Sequence, residues 1–207
     1  MPLTIKRLPL GPIETNSYVV ANDENACLII DPSQGCEELF SHVNEHKLKP
    51  AAIVLTHGHF DHIMGIPEVR ERFGEIDVWA HPAEELLLTN SMYNASAMMG
   101  IEFTYTGPVR HLTEGRVAIG EFEADVLHIP GHSPGSVVVC IENNCFCGDV
   151  IFAGSIGRTD FPGGSMDTLL SGIRRKLFTL PDDTVLHSGH GGRTTIGREK
   201  KHNPFLQ

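Results

Sequence analysis

The chain has 207 residues, 41% hydrophobic and 20% charged, with a formal net charge of -10 at pH 7. These totals fit one globular domain over residues 1–207 with a substantial core. Phosphate-backbone binding draws on an excess of lysine and arginine, so the acidic balance excludes nucleic acid as the expected partner.

At the N-terminus, Met1-Pro2-Leu3-Thr4-Ile5-Lys6-Arg7 lacks the apolar core of a signal peptide. No apolar run approaches the roughly 18 residues that a membrane span requires. The expectation is a cytoplasmic protein with no membrane contact. Period-two or continuous apolar runs predict strands over 3–8, 17–21, 26–30, 51–56 and 76–80. Helical spacing predicts helices over 37–47 and 63–73, the second with Ile63, Ile66, Val69, Arg70 and Phe73 near one face and Gly74 as its stop. Residues 90–108 show no clear period and join the two halves, either as a flap over a site or as an irregular surface connection.

The second half predicts strands over 116–119, 122–129, 136–141, 145–152 and 184–187. A helix capped by Ser165 is predicted over 166–178, ending before Pro181. Strands with interspersed helices in both halves indicate sheet packed on sheet with helices outside. The five cysteines, Cys27, Cys36, Cys140, Cys145 and Cys147, fit neither a disulfide framework nor paired C-x-x-C zinc sites, so reduced thiols are expected. Cys145 and Cys147, two apart, are expected on one side of a strand as small core residues.

Chemistry concentrates in His57-Gly58-His59-Phe60-Asp61-His62, which follows the apolar run Ala51-Ala52-Ile53-Val54-Leu55-Thr56. Three imidazoles and a carboxylate at the mouth of a strand suit a borderline divalent ion, zinc first, with iron and manganese as the other candidates. Three more segments set a ligand beside glycine: Pro130-Gly131-His132-Ser133-Pro134-Gly135, Cys147-Gly148-Asp149 and Ser188-Gly189-His190-Gly191-Gly192. Glycine there allows short loops from separate strands to converge. His81, His111 and His128 stand isolated and are read as structural.

This four-part pattern resembles the metallo-β-lactamase superfamily, and more closely its glyoxalase II-like hydrolases, over nearly the whole chain. The resemblance implies an α/β fold, a four-layer αββα sandwich with the site at one edge of the sheets. It implies two metal ions: His57, His59 and His132 hold one, Asp61, His62 and His190 the other, and Asp149 bridges. It also implies hydrolysis by a metal-bridging hydroxide at a metal-polarised carbonyl, with Asp61 as a catalytic group directing that hydroxide. A small thioester such as S-lactoylglutathione is then the first substrate to consider.

Arg158, in Gly157-Arg158-Thr159-Asp160-Phe161, matches a cation of glutathione-handling relatives and is the candidate substrate-binding residue, through bidentate hydrogen bonds to a carboxylate. The competing reading is a loop salt bridge to Asp160. The glyoxalase II pattern has lysine where Arg158 stands and tyrosine where Asp160 stands, and its C-terminal helical domain has no counterpart after His190. A similar run also occurs in persulfide dioxygenases, which imply one iron and sulfur oxygenation. A non-catalytic metal-binding module is the third reading.

Overall fold

Successive residues of single strands enter different hydrophobic layers, and this period-two division sets the architecture. The computed structural model describes residues 3–207. One sheet runs in the order β1 (Thr4–Leu10), β2 (Thr15–Ala21), β3 (Ala26–Ile30), β4 (Lys49–Val54), β5 (Asp77–Ala80) and β6 (Arg110–His111). Its first three strands are antiparallel neighbours, whereas β3 through β6 pair in parallel. Parallel neighbours need crossovers. These are α1 (Glu37–Glu45) before β4, then α2 (Phe60–Ile63) and α3 (Ile66–Phe73) before β5; α4 (Glu85–Thr89) follows β5.

The second sheet contains β7 (Gly115–Ile119), β8 (Phe122–His128), β9 (Val137–Ile141) and β10 (Asn144–Gly148). A separate hairpin, β11 (Ile151–Phe152) and β12 (Ser155–Ile156), and helix α5 (Met166–Arg175) precede β13 (Val185–Ser188), β14 (Thr194–Thr195) and α6 (Ile196–His202). The spatial order is β14, β13, β10, β9, β8, β7, and only β10 and β13 are parallel among these pairs.

Tyr18, Val20, Leu28, Ile30, Ala52 and Val54 of the first sheet meet Phe122, Ala124, Val126, Val137, Val139 and Phe146 of the second in a central layer. Their neighbours Val19, Cys27, Ile29 and Ile53 point the other way, onto Leu39 and Val43 of α1 and Ile66 and Val69 of α3. Likewise Val138, Cys145, Cys147 and Leu186 face outward onto Leu169 and Ile173 of α5 and Ile196 of α6. Full burial of one such Leu or Ile stabilises by roughly 1.5–3 kcal/mol. The result is the expected αββα sandwich, helices on both outer faces of two packed sheets. Among the described residues, no helix is long and apolar enough to cross a membrane.

Several local features differ from expectation. Helix 63–73 is two helices, because Asp61 and His62 already lie in α2 and the chain breaks before Ile66. Strand 145–152 ends at Gly148, where a turn leads into the β11–β12 hairpin. Ser165 does cap α5, its hydroxyl accepting from Thr168 N at 3.3 Å, but the helix ends at Arg175 and a 3₁₀ turn follows. The reduced-thiol expectation is corrected for one pair: Cys140 and Cys145 form a disulfide. They are directly opposed in the β9–β10 hairpin, a proximity set by strand register rather than by any cysteine motif.

Candidate metal centre

Ligand-type side chains from both sheets meet at one end of the sandwich. His57 and His59 follow β4, Asp61 and His62 occupy α2, His132 follows β8, Asp149 follows β10 and His190 follows β13. Cross-sheet hydrogen bonds fix this junction. Val137 N donates to Thr56 O at 2.9 Å, while Asn16 Nδ2 and Tyr18 OH both donate to Ser188 O, at 2.9 and 2.7 Å. The loops bearing His57, His132 and His190 therefore inherit their positions from sheet packing.

In the first cluster, His132 Nε2 lies 2.9 Å from His59 Nδ1 and 3.2 Å from His57 Nε2. Arg158 O accepts a hydrogen bond from His132 Nδ1 at 2.8 Å, which leaves the Nε2 lone pair facing the cluster. Burial, followed by the neighbouring imidazoles, holds His57 well below the usual histidine range and His59 down to about 3; burial also lowers His132. These rings are neutral at pH 7. Three converging lone pairs repel one another unless a cation sits among them.

The second cluster joins Asp61, His62 and His190. Asp61 Oδ2 lies 3.2 Å from His62 Nε2 and 3.3 Å from His190 Nε2, and it accepts from Thr15 Oγ1 at 2.8 Å. Asp149 lies between the clusters: Oδ1 is 3.5 Å from His62 Nε2, and Oδ2 is 3.7 Å from both His132 and His190 Nε2. Burial opposes charge on Asp61 and Asp149, yet His62 and its neighbours outweigh it and keep both carboxyls below their usual range. Burial likewise disfavours charge on His62, but Asp61, Asp31 and Asp149 more than reverse this and raise it well above the usual range.

Among the described residues, buried His62 Nε2 and Asp149 Oδ1 find no hydrogen-bond partner, and both face the gap between the clusters. Such orphaned atoms are costly unless an ion satisfies them. Nitrogen and carboxylate donors suit zinc, iron or manganese. All seven ligand-type residues expected from the sequence are thus gathered here, in groupings that could hold metal ions.

Arg158 is also at the site, but its side chain is engaged. Its Nε and Nη2 donate to the Asp160 carboxylate at 2.7 and 2.8 Å, and the guanidinium lies 3.9 Å from the Phe161 ring centre. A substrate carboxylate has to compete with Asp160. A cleft of about 380 Å³ opens over the ligands, walled by Ile13, Phe60, Met98, Met99 and Phe161. Residues 90–108 supply part of that wall, tied down by Asn94 O accepting from Phe60 N at 3.0 Å and by Asn94 Nδ2 donating to Phe103 O at 2.9 Å.

Sequence reasoning missed Thr15, Asp31 and Glu84. Asp31 accepts from His62 Nδ1 at 2.9 Å and from Thr56 N at 2.7 Å. Its signal was available, because it ends the apolar strand 26–30 much as the later ligands end theirs.

The geometry agrees with what the chain is similar to. The family model described as Metallo-beta-lactamase superfamily matches residues 10–190. "Probable metallo-hydrolase YqgX" of Bacillus subtilis is 44% identical over 206 residues, covering 97% of this chain and 96% of that protein. "Hydroxyacylglutathione hydrolase GloC" of Haemophilus influenzae is 37% identical over 210 residues, covering 99% and 98%. Among solved structures, BLEG-1 B3 metallo-beta-lactamase superposes with a TM-score of 0.94 at 44% identity, covering 99% of this chain and 100% of its own. TTHA1623 in a di-iron-bound form gives 0.87 at 38% identity, covering 97% and 100%.

Proposed function

The chain belongs to the metallo-beta-lactamase superfamily, and on that premise we propose that it is a dinuclear metal-dependent hydrolase of small thioesters. The observation that carries this reading is the pair of ligand clusters with Asp149 between them. His57, His59 and His132 would hold one ion, Asp61, His62 and His190 the other, and Asp149 would be shared. Bound there, two divalent ions would supply an acidified water and a Lewis acid for the scissile carbonyl. Zinc is the first candidate; iron is the next, given the di-iron form of one similar structure.

The chain's own groups prepare the reaction. Arg158 O holds His132 in the tautomer that presents Nε2. Asp61, kept ionised by His62 and His190, is the carboxylate that would accept a hydrogen bond from the attacking water and aim it. Neither Ser133 nor Cys147 is placed as a competing nucleophile. Ser133 is buried, with its Oγ donating to Glu84 at 2.7 Å, and burial raises the Cys147 thiol far above its usual range. The apolar wall would pack against the uncharged arm of a thioester. S-lactoylglutathione is the first substrate to test, supported by the relative named as a hydroxyacylglutathione hydrolase.

The test is metal analysis, thioester hydrolysis and oxygen uptake with glutathione persulfide on one preparation. Two metals per chain with thioester cleavage are expected, and His59→Ala should lose both metal and activity. A metal-replete protein inert toward thioesters, lactones and β-lactams overturns the hydrolase reading. One iron per chain with oxygen uptake transfers the assignment to a persulfide dioxygenase.

A further inference from the structure

Glu84 is a carboxylate with 1% of its surface exposed, and it belongs to neither ligand cluster. It lies just after β5, immediately before α4. Among the described residues no lysine or arginine pairs with it; its partners are hydrogen-bond donors from two loops. Oε2 accepts from Gly58 N at 2.6 Å, while Oε1 accepts from Gly135 N at 2.5 Å and Ser133 Oγ at 2.7 Å. Gly58 separates His57 from His59, and Ser133 follows His132. One side chain therefore fastens both loops that supply the first cluster: at the backbone of Gly58 between two ligands, and on the other loop at the Ser133 hydroxyl beside His132 and the backbone of Gly135.

The sequence around it is consistent with that task. A Cβ added at Gly58 would lie 3.0 Å from Glu84 Oε2 and 2.8 Å from Leu87 Cβ; one at Gly135 would lie 2.8 Å from Glu84 Cγ and Oε1. The 2.8 Å contacts at both positions are shorter than a Cβ tolerates without a shift of its neighbours. Glycine on each loop thus permits the carboxylate to come within hydrogen-bonding range of both backbones at once. Short, charge-assisted hydrogen bonds of this kind are stiffer than neutral ones.

Resting on the metal-centre reading above, we infer that Glu84 is a positioning residue which sets the separation of His57 and His59 from His132 and so tunes the first half-site for its ion. The second half-site draws on Asp61, His62 and His190, and the loop carrying His190 is not among those Glu84 touches. The effect is therefore selective. Residues that orient metal ligands from behind typically influence affinity by 10- to 100-fold.

Glu84→Gln is the informative change. Whichever way the amide turns, one loop meets an NH₂ where it needs an acceptor. Glu199→Gln is the matched control: Glu199 is equally buried and accepts from Thr194 Oγ1, Gly154 N and Asn203 Nδ2, all outside the two clusters. Both variants and the wild type are stripped with chelator, then titrated with zinc against a chromophoric competitor and with cobalt(II) by visible absorption. Glu84→Gln should bind one equivalent at least about tenfold more weakly, with an altered cobalt spectrum, while the other equivalent is retained. Glu199→Gln should lower Tm alone.

If Glu84→Gln lowers Tm as Glu199→Gln does yet binds both equivalents with wild-type affinity and spectrum, the inference is overturned. Should Glu84→Gln fail to fold, Ser133→Ala removes one of the contacts and must still weaken that equivalent; unchanged binding overturns the inference equally. A wild-type protein that takes up no metal overturns the metal centre itself, and a negative thioester assay bears on the reaction alone.

Discussion

Asp31 Oδ2 accepts a hydrogen bond from His62 Nδ1 at 2.9 Å, so that Nε2 of the same ring faces Asp61 and Asp149. Such a pairing fixes the tautomer and raises ligand basicity. Asp31→Asn preserves size but removes the oxygen pair that serves both His62 and Thr56. It should weaken the half-site of Asp61, His62 and His190 by 10- to 100-fold in a zinc competition titration. Unchanged affinity would reduce Asp31 to a structural anchor of Thr56.

The proposed anion-binding role of Arg158 depends on its pair with Asp160. Because the pair is exposed, it is worth little in water, and the cost of freeing the guanidinium is correspondingly modest. Asp160→Asn should lower KM for a carboxylate-bearing thioester by about two- to fivefold and leave a neutral thioester unchanged. Arg158→Ala should raise KM for the first substrate only, with kcat maintained. Equal effects on both substrates would show that the loop shapes the cleft without reading charge.

Acid should destabilise the metal-free protein through His187. This ring stacks on Phe146 at 5.0 Å, and burial, assisted by Arg193, holds its pKa down to about 4. In the unfolded chain it takes up a proton near 6.5. The folded state therefore keeps its full advantage above about pH 6.5 and loses it progressively as pH falls toward 4. That loss is of the order of 1–3 kcal/mol. Urea unfolding in chelator at pH 7 and near pH 4.5 should show a smaller acid loss for His187→Phe than for the wild type; identical losses would contradict this account.

Thiol counting checks the β9–β10 hairpin. Protein unfolded without reductant should take up alkylating reagent at three cysteines, Cys27, Cys36 and Cys147, and at all five after reduction. Five reactive thiols before reduction would rule out the Cys140–Cys145 bond.

The sequence made the seven candidate ligands legible because each stands beside glycine or within the histidine-rich run, so local spacing alone marks them. Continuous apolar strands such as 26–30 and 137–141 likewise announced layers buried on both faces. What stayed hidden depends on contacts between distant segments. Glu84 reaches across 49 positions to Ser133, and Asp31 reaches 31 positions to His62. The break before Ile66 and the opposition of Cys140 and Cys145 follow from packing and register, which composition does not encode.

The His57–His59–His132 cluster and the Asp61–His62–His190 cluster each draw on both halves of the chain. His57, His59, Asp61 and His62 come from the N-terminal sheet region, while His132, Asp149 and His190 come from the C-terminal one. Ion capture at these clusters would therefore report on docking of the two sheets, and an ion bound there would in turn draw them together, adding RT ln(1 + [L]/Kd) to the unfolding free energy. A packing defect at Phe146, in the central layer, should consequently register as faster metal loss to a chelator.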